Sequence, residues 1–333
     1  MQPDMGATLH TGDLSFDDLI RYAQEAEALG YEGFWLTEES GKEAFAVLAA
    51  LCGVTKRIRL GTGIVNFYSR TPTLLAMAAR TLHDLSGGRF ALGLGTGGPG
   101  FMERGHGLAI EKPLRRARET IEIVRGLLSS KRFSYEGEWF HIRNFRLREG
   151  PLVERIPIYL SALNPKMTAL AARIADGFIS NWPSPESIEE QQAIVKREAE
   201  SEGRDPKEIK VMTLLMTCPD PNDERAVQAM RRGLAFYCAS PHYHHIADIS
   251  GLGPQVRKVM EVWEIKDFDA ATRFVTDAML EKFSLTGSPD ACRKRLRRLL
   301  DTGVYPIIYP LFRPDRPAED HLAAIRLAAT YVS

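Results

Sequence analysis

Two loops of glycine and threonine follow short apolar runs and have the composition of ligand-binding loops. The first is Gly61-Thr62-Gly63, and the second is Gly95-Thr96-Gly97-Gly98. Glycine has no Cβ and tolerates unusual φ, so such loops let the backbone approach a flat or anionic ligand closely. If both loops end neighbouring parallel strands, they lie at the same edge of a sheet. The sequence therefore predicts a cofactor site at that edge.

Three titratable side chains are candidates for proton transfer at the same edge. Glu38 and Glu39 follow the apolar run Gly33–Thr37, and His10 follows the run Met5–Leu9. Carboxylates placed here could accept hydrogen bonds from a cofactor ring or exchange a proton with a substrate. The alternatives are a solvated loop or a cap on the next helix. All three are candidate catalytic residues.

Two further polar motifs are weaker candidates. Asn164-Pro165 opens a helix directly after an apolar run, and backbone amides at a helix N-terminus bind phosphate well. The histidine run of His242, His244 and His245 lacks the spacing of a zinc site, so a surface or lid role is the alternative. We predict no metal.

A repeated unit organises the chain: an amphipathic helix, a glycine stop and a short continuous apolar strand. Ser15 with Asp18 forms a capping box, and the helix opened by Thr71-Pro72 stops at Gly87. Eight runs are predicted strands: Met5–Leu9, Gly33–Thr37, Arg57–Gly61, Phe90–Leu94, Ile156–Leu160, Gly177–Ser180, Ile209–Met216 and Val304–Tyr309. Runs that are apolar throughout are typical of a parallel sheet buried on both faces.

Eight such units predict an α/β fold, a (β/α)8 TIM barrel with insertions, whose chemistry lies at the carboxyl ends of the strands. A doubly wound sheet is the alternative. We expect one domain over residues 1–333, with a hairpin insertion near 131–150 and a helical insertion near 219–282 that covers or shapes the site.

The run Gly93–Gly98 matches the dinucleotide-binding pattern G-x-G-x-x-G. That pattern requires a helix to begin within the motif. Here Pro99-Gly100 interrupts the chain, and we expect the next helix near Pro113. The motif therefore favours a ligand-facing loop over a Rossmann turn.

The bulk composition excludes several functional classes. Lys plus Arg and Asp plus Glu both number 43, so the net charge is zero and there is no basic excess typical of nucleic-acid binding. No apolar run approaches the ~18 residues that span a membrane. The N-terminus lacks the pattern of a secretion signal. The four cysteines form no C-x-x-C pair, which favours reduced thiols and a cytoplasmic location.

Together these motifs resemble the bacterial luciferase-like superfamily of flavin and deazaflavin enzymes. The resemblance covers nearly the whole chain and is most specific at Leu60–Pro72, Leu85–Phe90, Leu92–Gly97 and Ala175–Phe178. Within the superfamily the sequence is most similar to the branch that uses the deazaflavin coenzyme F420, which includes methylene-tetrahydromethanopterin reductases.

The resemblance implies a barrel, a homodimer and a set of cofactor contacts. Gly63-Ile64 matches a non-prolyl cis peptide that bulges under the central ring, and Glu38 matches an acidic position near the ring's polar edge. The remaining matched positions are Gly97 and Gly98 after strand 4, Ser161, Ala162, Leu163, Asn164 and Pro165 on the phosphate side, and Ser180 after strand 6.

Two departures narrow the function. Relatives that oxidise glucose 6-phosphate carry a histidine at the position of Glu39 and a glutamate at the position of Gly98, so the same sugar substrate is not expected. Leu163-Asn164 also replaces paired glycines of some relatives. We expect an F420-dependent oxidoreductase that transfers a hydride to or from a small organic substrate. An FMN-dependent monooxygenase and a non-catalytic flavin-binding protein are the alternatives.

Overall fold

Eight parallel strands close into a barrel in the computed structural model, which describes residues 4–332. They are β1 (Gly6–Leu9), β2 (Gly33–Leu36), β3 (Arg59–Thr62), β5 (Phe90–Gly95), β8 (Ile158–Ser161), β9 (Gly177–Asn181), β10 (Lys210–Thr217) and β12 (Tyr305–Pro310). Neighbours in this order are hydrogen-bonded, and β12 pairs with β1 to complete the ring. The predicted (β/α)8 barrel is confirmed, and the doubly wound alternative is wrong.

Eight helices surround the barrel. They are α1 (Phe16–Ala28), α2 (Ala44–Val54), α3 (Pro72–Ser86), α5 (Pro113–Ser129), α6 (Pro165–Ile174), α7 (Pro185–Ser201), α13 (Pro289–Asp301) and α14 (Pro317–Val332). The predicted caps are present: Ser15 and Asp18 form a capping box on α1, and α3 runs from the Thr71 cap to a left-handed Gly87. Across residues 4–332, no helix is long and apolar enough to cross a membrane.

The indole of Trp35 on β2 fills the centre of the barrel. Its side chain is fully buried. A Cβ added at Gly6, Gly33 or Gly61 would lie 2.4 to 2.7 Å from the indole. The Trp35 Nε1 donates a hydrogen bond of 3.3 Å to the hydroxyl of Tyr305. Glycines on three neighbouring strands therefore make room for one large side chain, which closes the lumen below the carboxyl ends of the strands.

A hairpin formed by β6 (Phe133–Glu136) and β7 (His141–Phe145) precedes β8. Buried Glu119 of α5 accepts hydrogen bonds from three backbone amides of the turn, those of residues 138, 139 and 140. The guanidinium of Arg116 lies 4.5 Å from the ring centroid of Trp139 and 5.3 Å from that of Phe140. These contacts anchor the hairpin to α5.

A helical segment follows β10. It contains α8 (Glu224–Cys238), α9 (His244–Ile249), α10 (Gly253–Glu264), α11 (Phe268–Arg273) and α12 (Asp277–Phe283), and it returns to the barrel through β11 (Ser284–Leu285), which pairs with β10. These helices have an apolar core of their own that includes Met230, Leu234, Val256 and Met279. That core also takes in Trp182 from the end of β9, so the segment packs on the carboxyl end of the barrel.

A short helix, α4 (Pro99–His106), begins directly after the glycine loop. Our expectation that the next helix starts near Pro113 was therefore wrong. Pro99 occupies the first helical position, where proline is favoured, and Gly107 ends the helix in the left-handed conformation. Met102, which is fully buried, holds α4 to the core despite two glycines within the helix.

Candidate functional site

A backbone bulge at the end of β3 forms one side of the barrel mouth. The peptide bond between Gly63 and Ile64 is cis, at the position that the resemblance implied. After the bulge the chain pairs with β5 again as β4 (Val65–Asn66). The Gly63 amide donates to the carbonyl of Leu36 at 2.8 Å, which fixes the bulge to β2. The interruption turns the backbone of β3 into the lumen.

Glycines on β5 accommodate this bulge. A Cβ at Gly93 would lie 2.0 Å from the carbonyl oxygen of Thr62, and a Cβ at Gly95 would lie 2.7 Å from Cδ1 of Ile64. The Thr62 hydroxyl also donates to the Gly93 carbonyl at 2.7 Å and accepts from the Gly93 amide at 2.8 Å. The Ile64 side chain thus lies over bare backbone. We name the surface formed by Gly63, Ile64, Gly93 and Gly95 the glycine floor.

Titratable groups lie beside the glycine floor, at the carboxyl ends of the adjoining strands β12, β1 and β2. The His10 Nδ1 is 3.6 Å from a carboxylate oxygen of Glu39 and 3.4 Å from the hydroxyl of Tyr309 at the end of β12. The rings of His10 and Tyr309 lie 4.7 Å apart. The structure therefore brings together two of the three candidate acid–base residues, His10 and Glu39, and adds Tyr309. Their catalytic role stays a prediction.

The environment of Glu39 keeps its carboxyl ionised. Partial desolvation opposes ionisation, but hydrogen bonds and the nearby charge of His10, with a further hydrogen bond from Tyr309, lower the pKa of Glu39 below its usual value. The side chain is 53% exposed. An exposed, ionised carboxylate in contact with an imidazole can exchange a proton with a bound molecule.

The backbone of His10 is fixed by a second histidine. His321 on α14 is fully buried, and its Nε2 accepts a hydrogen bond of 3.3 Å from the His10 amide. Its Nδ1 lies 2.6 Å from the carbonyl of Pro317, to which it donates. Burial lowers the pKa of His321 to about 4, which keeps the ring neutral. The two partners together define one tautomer.

Glu38 has different partners from its neighbour. Both of its carboxylate oxygens bind the guanidinium of Arg70 at 2.7 Å, and one also accepts from the Ala44 amide at the start of α2. Arg70 binds Glu43 as well. Since both oxygens are engaged in a nearly buried bidentate pair, the geometry favours Glu38 as an anchor of the loop. Its roles in proton transfer and cofactor binding stay predictions.

Two tyrosines of the helical segment complete the titratable side of the mouth. The Tyr237 hydroxyl of α8 donates to Tyr309 at 3.1 Å, and the Asn181 amide donates to the Tyr243 hydroxyl at 3.2 Å. Sequence reasoning missed these residues and His321. Tyr309 could have been found, because it ends a predicted strand at the same edge as His10, which follows one. Nothing in the local sequence points to Tyr237.

Gly97 and Gly98 lie between β5 and α4, close to the glycine floor. Gly97 has a φ of +73°, which glycine adopts readily, and Gly98 caps α4. Beside them, buried Asn66 accepts two backbone hydrogen bonds through its Oδ1, while its Nδ2 has no partner within the described residues 4–332. The Asn66 Nδ2 and the backbone of the two glycines could form hydrogen bonds with the polar edge of a ligand.

The segment predicted to meet a phosphate leads from β8 into α6. Asn164 caps this helix without a side-chain hydrogen bond, and Pro165 is its first residue. Asn164 is exposed. Ala162 is buried, and its amide donates a hydrogen bond to the Ile179 carbonyl. Ser161 and Leu163 are half-buried. Pro165 has no N–H, and the amides of Met167 and Thr168 donate to the Asn164 carbonyl, so few amides at the start of α6 are left for an anion and the phosphate contact stays a prediction.

The side chain of Ser180 points away from the barrel lumen. Its hydroxyl accepts a hydrogen bond of 2.8 Å from Gln191 on the outer helix α7. The next residue, Asn181, carries its side chain towards Tyr243 at the mouth. A cofactor contact at Ser180 would therefore involve its backbone. The predicted contact itself stays a prediction.

The histidine run contributes no metal site within the described part of the chain. His245 pairs with Glu190 at 2.8 Å, and no group of three or more His, Cys, Asp or Glu side chains in residues 4–332 could hold a metal ion.

The barrel mouth is thus divided into an apolar glycine floor and a cluster of acid–base groups. In (β/α)8-barrel enzymes the active site lies at this end of the strands, so the mouth is the candidate active site. Sequence comparison agrees. The profile of the luciferase-like monooxygenase family matches residues 1–305, and the chain belongs to that family. It is an oxidoreductase.

Individual relatives cover most of the chain. The 5,10-methylenetetrahydromethanopterin reductase of Archaeoglobus fulgidus is 32% identical over 303 residues, 89% of this chain and 90% of its own. The enzyme of the same name from Methanolobus tindarius is 31% identical over 296 residues, 87% of this chain and 89% of its own. The coenzyme F420 dependent tetrahydromethanopterin reductase of Methanopyrus kandleri superposes with a TM-score of 0.82 at 24% identity, covering 97% of this chain and 98% of its own.

Proposed function

We propose that this protein is an F420-dependent oxidoreductase that transfers a hydride between the deazaflavin and a small organic substrate. The observation that carries the proposal is the divided barrel mouth: the glycine floor at the carboxyl ends of β3 and β5 borders a cluster formed by His10 after β1, Glu39 after β2 and Tyr309 on β12. Relatives above 30% identity over most of the chain are named as reductases of a pterin substrate, and a more partial relative is named as F420-dependent.

The residues present fit a planar tricyclic group. Gly63 and Ile64 would support the ring, since Cβ atoms at positions 93 and 95 would displace the bulge. The backbone of Gly97 and Gly98 would contact the same group, and the segment from Ser161 to Pro165 would meet its phosphate side. Asn66 Nδ2 offers a hydrogen-bond donor without a partner among residues 4–332. When bound, the deazaflavin supplies the carbon that takes or gives the hydride.

The chain's own groups would manage the proton that accompanies the hydride. Glu39 is held as a carboxylate, so in the oxidising direction it can accept a proton from a substrate hydroxyl or amine. His10 contacts Glu39 and can share that proton. In the reducing direction the same pair returns the proton to the substrate. Glu38 would stabilise the loop through Arg70 rather than exchange a proton.

We also propose that the protein acts as a homodimer. Helix α2 carries no charged residue, yet Ala46, Ala50 and Gly53 on it are exposed. Helix α3 packs beside α2 and exposes Leu74, Met77 and Leu85, which share one helical face. A helix that is apolar all round is normally buried, so a second copy of the chain is the expected cover for this surface, which we name the α2–α3 face.

The test is a titration of the purified protein with F420 and, separately, with FMN, followed by cofactor fluorescence. We expect micromolar F420 binding and FMN binding at least tenfold weaker. The reverse preference would overturn the proposal and favour the FMN-dependent monooxygenase, which oxygen uptake would then detect. Turnover of the bound reduced cofactor with a panel of carbonyl and imine compounds separates an enzyme from a non-catalytic binding protein.

A further inference from the structure

Helix α8 of the helical segment lies along the chain that leaves the barrel at β12. At its carboxyl end the Tyr237 hydroxyl donates to the Tyr309 hydroxyl at 3.1 Å. One turn earlier the backbone of Gly233 packs on Leu311, since a Cβ there would lie 2.4 Å from Cδ1 of that leucine. These two contacts attach α8 to the segment that begins at Tyr309, the residue whose hydroxyl lies beside His10.

The third contact is an ion pair at the amino end of α8. Asp223 is the N-cap of α8, with one carboxylate oxygen accepting from backbone amides of the first turn. Its other oxygen binds the guanidinium of Arg313. Arg313 is buried and also binds both oxygens of fully buried Asp320 on α14. A buried arginine with two carboxylate partners has little freedom to move.

The two ends of α8 are therefore attached to the same short segment of chain. Fifteen helical residues span about 22 Å at 1.5 Å per residue. Because a helix is stiff over this length, the Arg313 pair restricts where the far end can lie. That far end carries Tyr237, whose ring also packs on Tyr243 at 5.2 Å between ring centroids.

The Tyr309 hydroxyl lies between the Tyr237 hydroxyl, at 3.1 Å, and the His10 Nδ1, at 3.4 Å. Burial raises the pKa of both Tyr237 and Tyr309 well above the usual value, so both phenols keep their protons. When Tyr237 donates to the Tyr309 oxygen, the single Tyr309 proton is free to be donated to His10 or Glu39. A hydroxyl that accepts a hydrogen bond becomes a better donor, because the chain of bonds is cooperative.

We propose that Tyr237 is a positioning residue for the His10–Glu39 pair: it acts through Tyr309, and the Asp223–Arg313 ion pair holds the helix that carries it. The role assigned to the pair itself rests on the proposed function. Packing alone would be served equally by phenylalanine at this position, so the hydroxyl is the feature that distinguishes the proposal from a structural role.

The first test is Tyr237→Phe, with the Glu39 carboxyl followed by ¹³C NMR in the protein without cofactor and assigned by its loss in Glu39→Gln. The groups that face Glu39 are His10 from β1, Tyr309 from β12, and Tyr237 and Tyr243 from the helical segment. Loss of the Tyr237 hydroxyl weakens donation by Tyr309, so we expect the pKa of Glu39 to rise.

Tyr31→Phe is the matched control, because Tyr31 is a buried tyrosine whose hydroxyl donates to the Ile325 carbonyl on another part of the barrel. It should leave the Glu39 titration unchanged. An unchanged Glu39 titration in Tyr237→Phe, with the fold intact by circular dichroism, would overturn the proposal. This readout needs neither cofactor nor substrate, so a failure to bind F420 would refute the proposed function and leave this inference standing.

A second variant tests the ion pair. Arg313→Lys keeps the charge but loses the bidentate geometry towards Asp320, whereas Arg313→Met loses both. Hydrogen exchange of residues 224–238 should quicken at least tenfold in the methionine variant and less in the lysine variant. The Glu39 pKa should rise in the same order. Faster exchange without any change at Glu39 would show that α8 docks on the barrel without affecting the pair.

Discussion

At the scale of single residues, the glycine floor depends on the absence of three side chains, at Gly63, Gly93 and Gly95. Gly95 has the clearest reason to be glycine, because its missing Cβ leaves the space that the Ile64 side chain occupies. Ser161 borders the same space from β8. The shape of the floor therefore depends on the missing side chains of β5. An atom added at Gly95 would push the Ile64 side chain into the space proposed for the cofactor ring.

Gly95→Ala is expected to weaken F420 binding about tenfold, which corresponds to about 1.4 kcal/mol. The new Cβ would lie 2.7 Å from Cδ1 of Ile64 and 3.1 Å from Cβ of Ser161. Such overpacking is relieved by rotating Ile64 into the space proposed for the ring. Fluorescence titration measures the effect. Gly12→Ala is the control, since no atom lies within 4 Å of its added Cβ. Equal affinities in the two variants would contradict the floor.

His321 couples the stability of the protein to pH. Its pKa in the folded state is about 4, below the usual 6.5, because burial disfavours the charged ring. As the pH falls below about 6.5, the unfolded chain binds the proton first, so stability is lost between pH 6.5 and 4. For this residue alone the loss between pH 7 and pH 5 is about 2 kcal/mol.

His321→Gln should remove that pH-dependent part, since the glutamine side chain does not titrate. Urea unfolding at pH 7 and pH 5 measures the difference, and the variant should lose about 2 kcal/mol less than the wild type over this interval. His141→Gln is the control, because His141 is largely exposed on the hairpin. The same pH dependence in wild type and His321→Gln would show that the ring is not neutral in the folded state.

Two adjacent glutamates show the limit of reasoning from residues. Glu38 and Glu39 have the same side chain and are adjacent in the loop that follows β2. Glu38 binds Arg70, which lies 32 positions along the chain, and Glu39 faces His10 and Tyr309. The sequence offers both as candidates, because the partners that separate them come from other strands.

At the scale of elements, helices were predicted correctly where the sequence shows both a capping residue and an amphipathic pattern. Helices α1 and α3 have the caps that the sequence predicts. Helix α4 escaped prediction because it has eight residues and two glycines, so its propensity is poor. Burial of Met102 stabilises this helix, and such a tertiary contact cannot be predicted from the local sequence pattern.

The hairpin is an element whose stability depends on one buried carboxylate. Glu119→Ala should quicken hydrogen exchange at residues 138–140 at least tenfold, because the three turn amides lose their acceptor. Exchange measured by mass spectrometry tests this. Glu136→Ala is the control on the same hairpin, since Glu136 is exposed and its carboxylate pairs with the side chain of His141. Unchanged protection would mean that the Arg116 stacking suffices.

At the scale of the whole molecule, closure of the barrel is what assembles the site. His10, Glu39 and Tyr309 are separated by up to 299 positions in the sequence. They meet because β12 pairs with β1 and β1 with β2. The helical segment then adds Tyr237 from above. A doubly wound sheet would leave β1 and β12 apart and could not form this cluster.

Met77→Glu should convert the proposed homodimer into a monomer. A charge in the centre of an apolar interface is left unpaired and desolvated, which opposes association. Light scattering should give twice the chain mass of 37.2 kDa for the wild type and the single mass for the variant. Val153→Glu, at a fully exposed position outside the α2–α3 face, should remain dimeric. A monomeric wild type would refute the dimer proposal.

The sequence by itself determined the architecture. Eight continuous apolar runs with helical partners define a parallel barrel, since strands buried on both faces need no knowledge of their neighbours to be recognised. It also located the loops at the carboxyl edge, because glycine and threonine clusters that follow apolar runs are visible in the sequence without knowledge of what packs on them.

Only the tertiary structure decided which side chains of that edge work together. It separated Glu38 from Glu39, turned Ser180 away from the lumen and added Tyr309, Tyr237 and His321 to the site. The reason is that hydrogen bonds and desolvation depend on distances between elements far apart in sequence. Those distances are set by the closure of the barrel and the docking of the helical segment on its mouth.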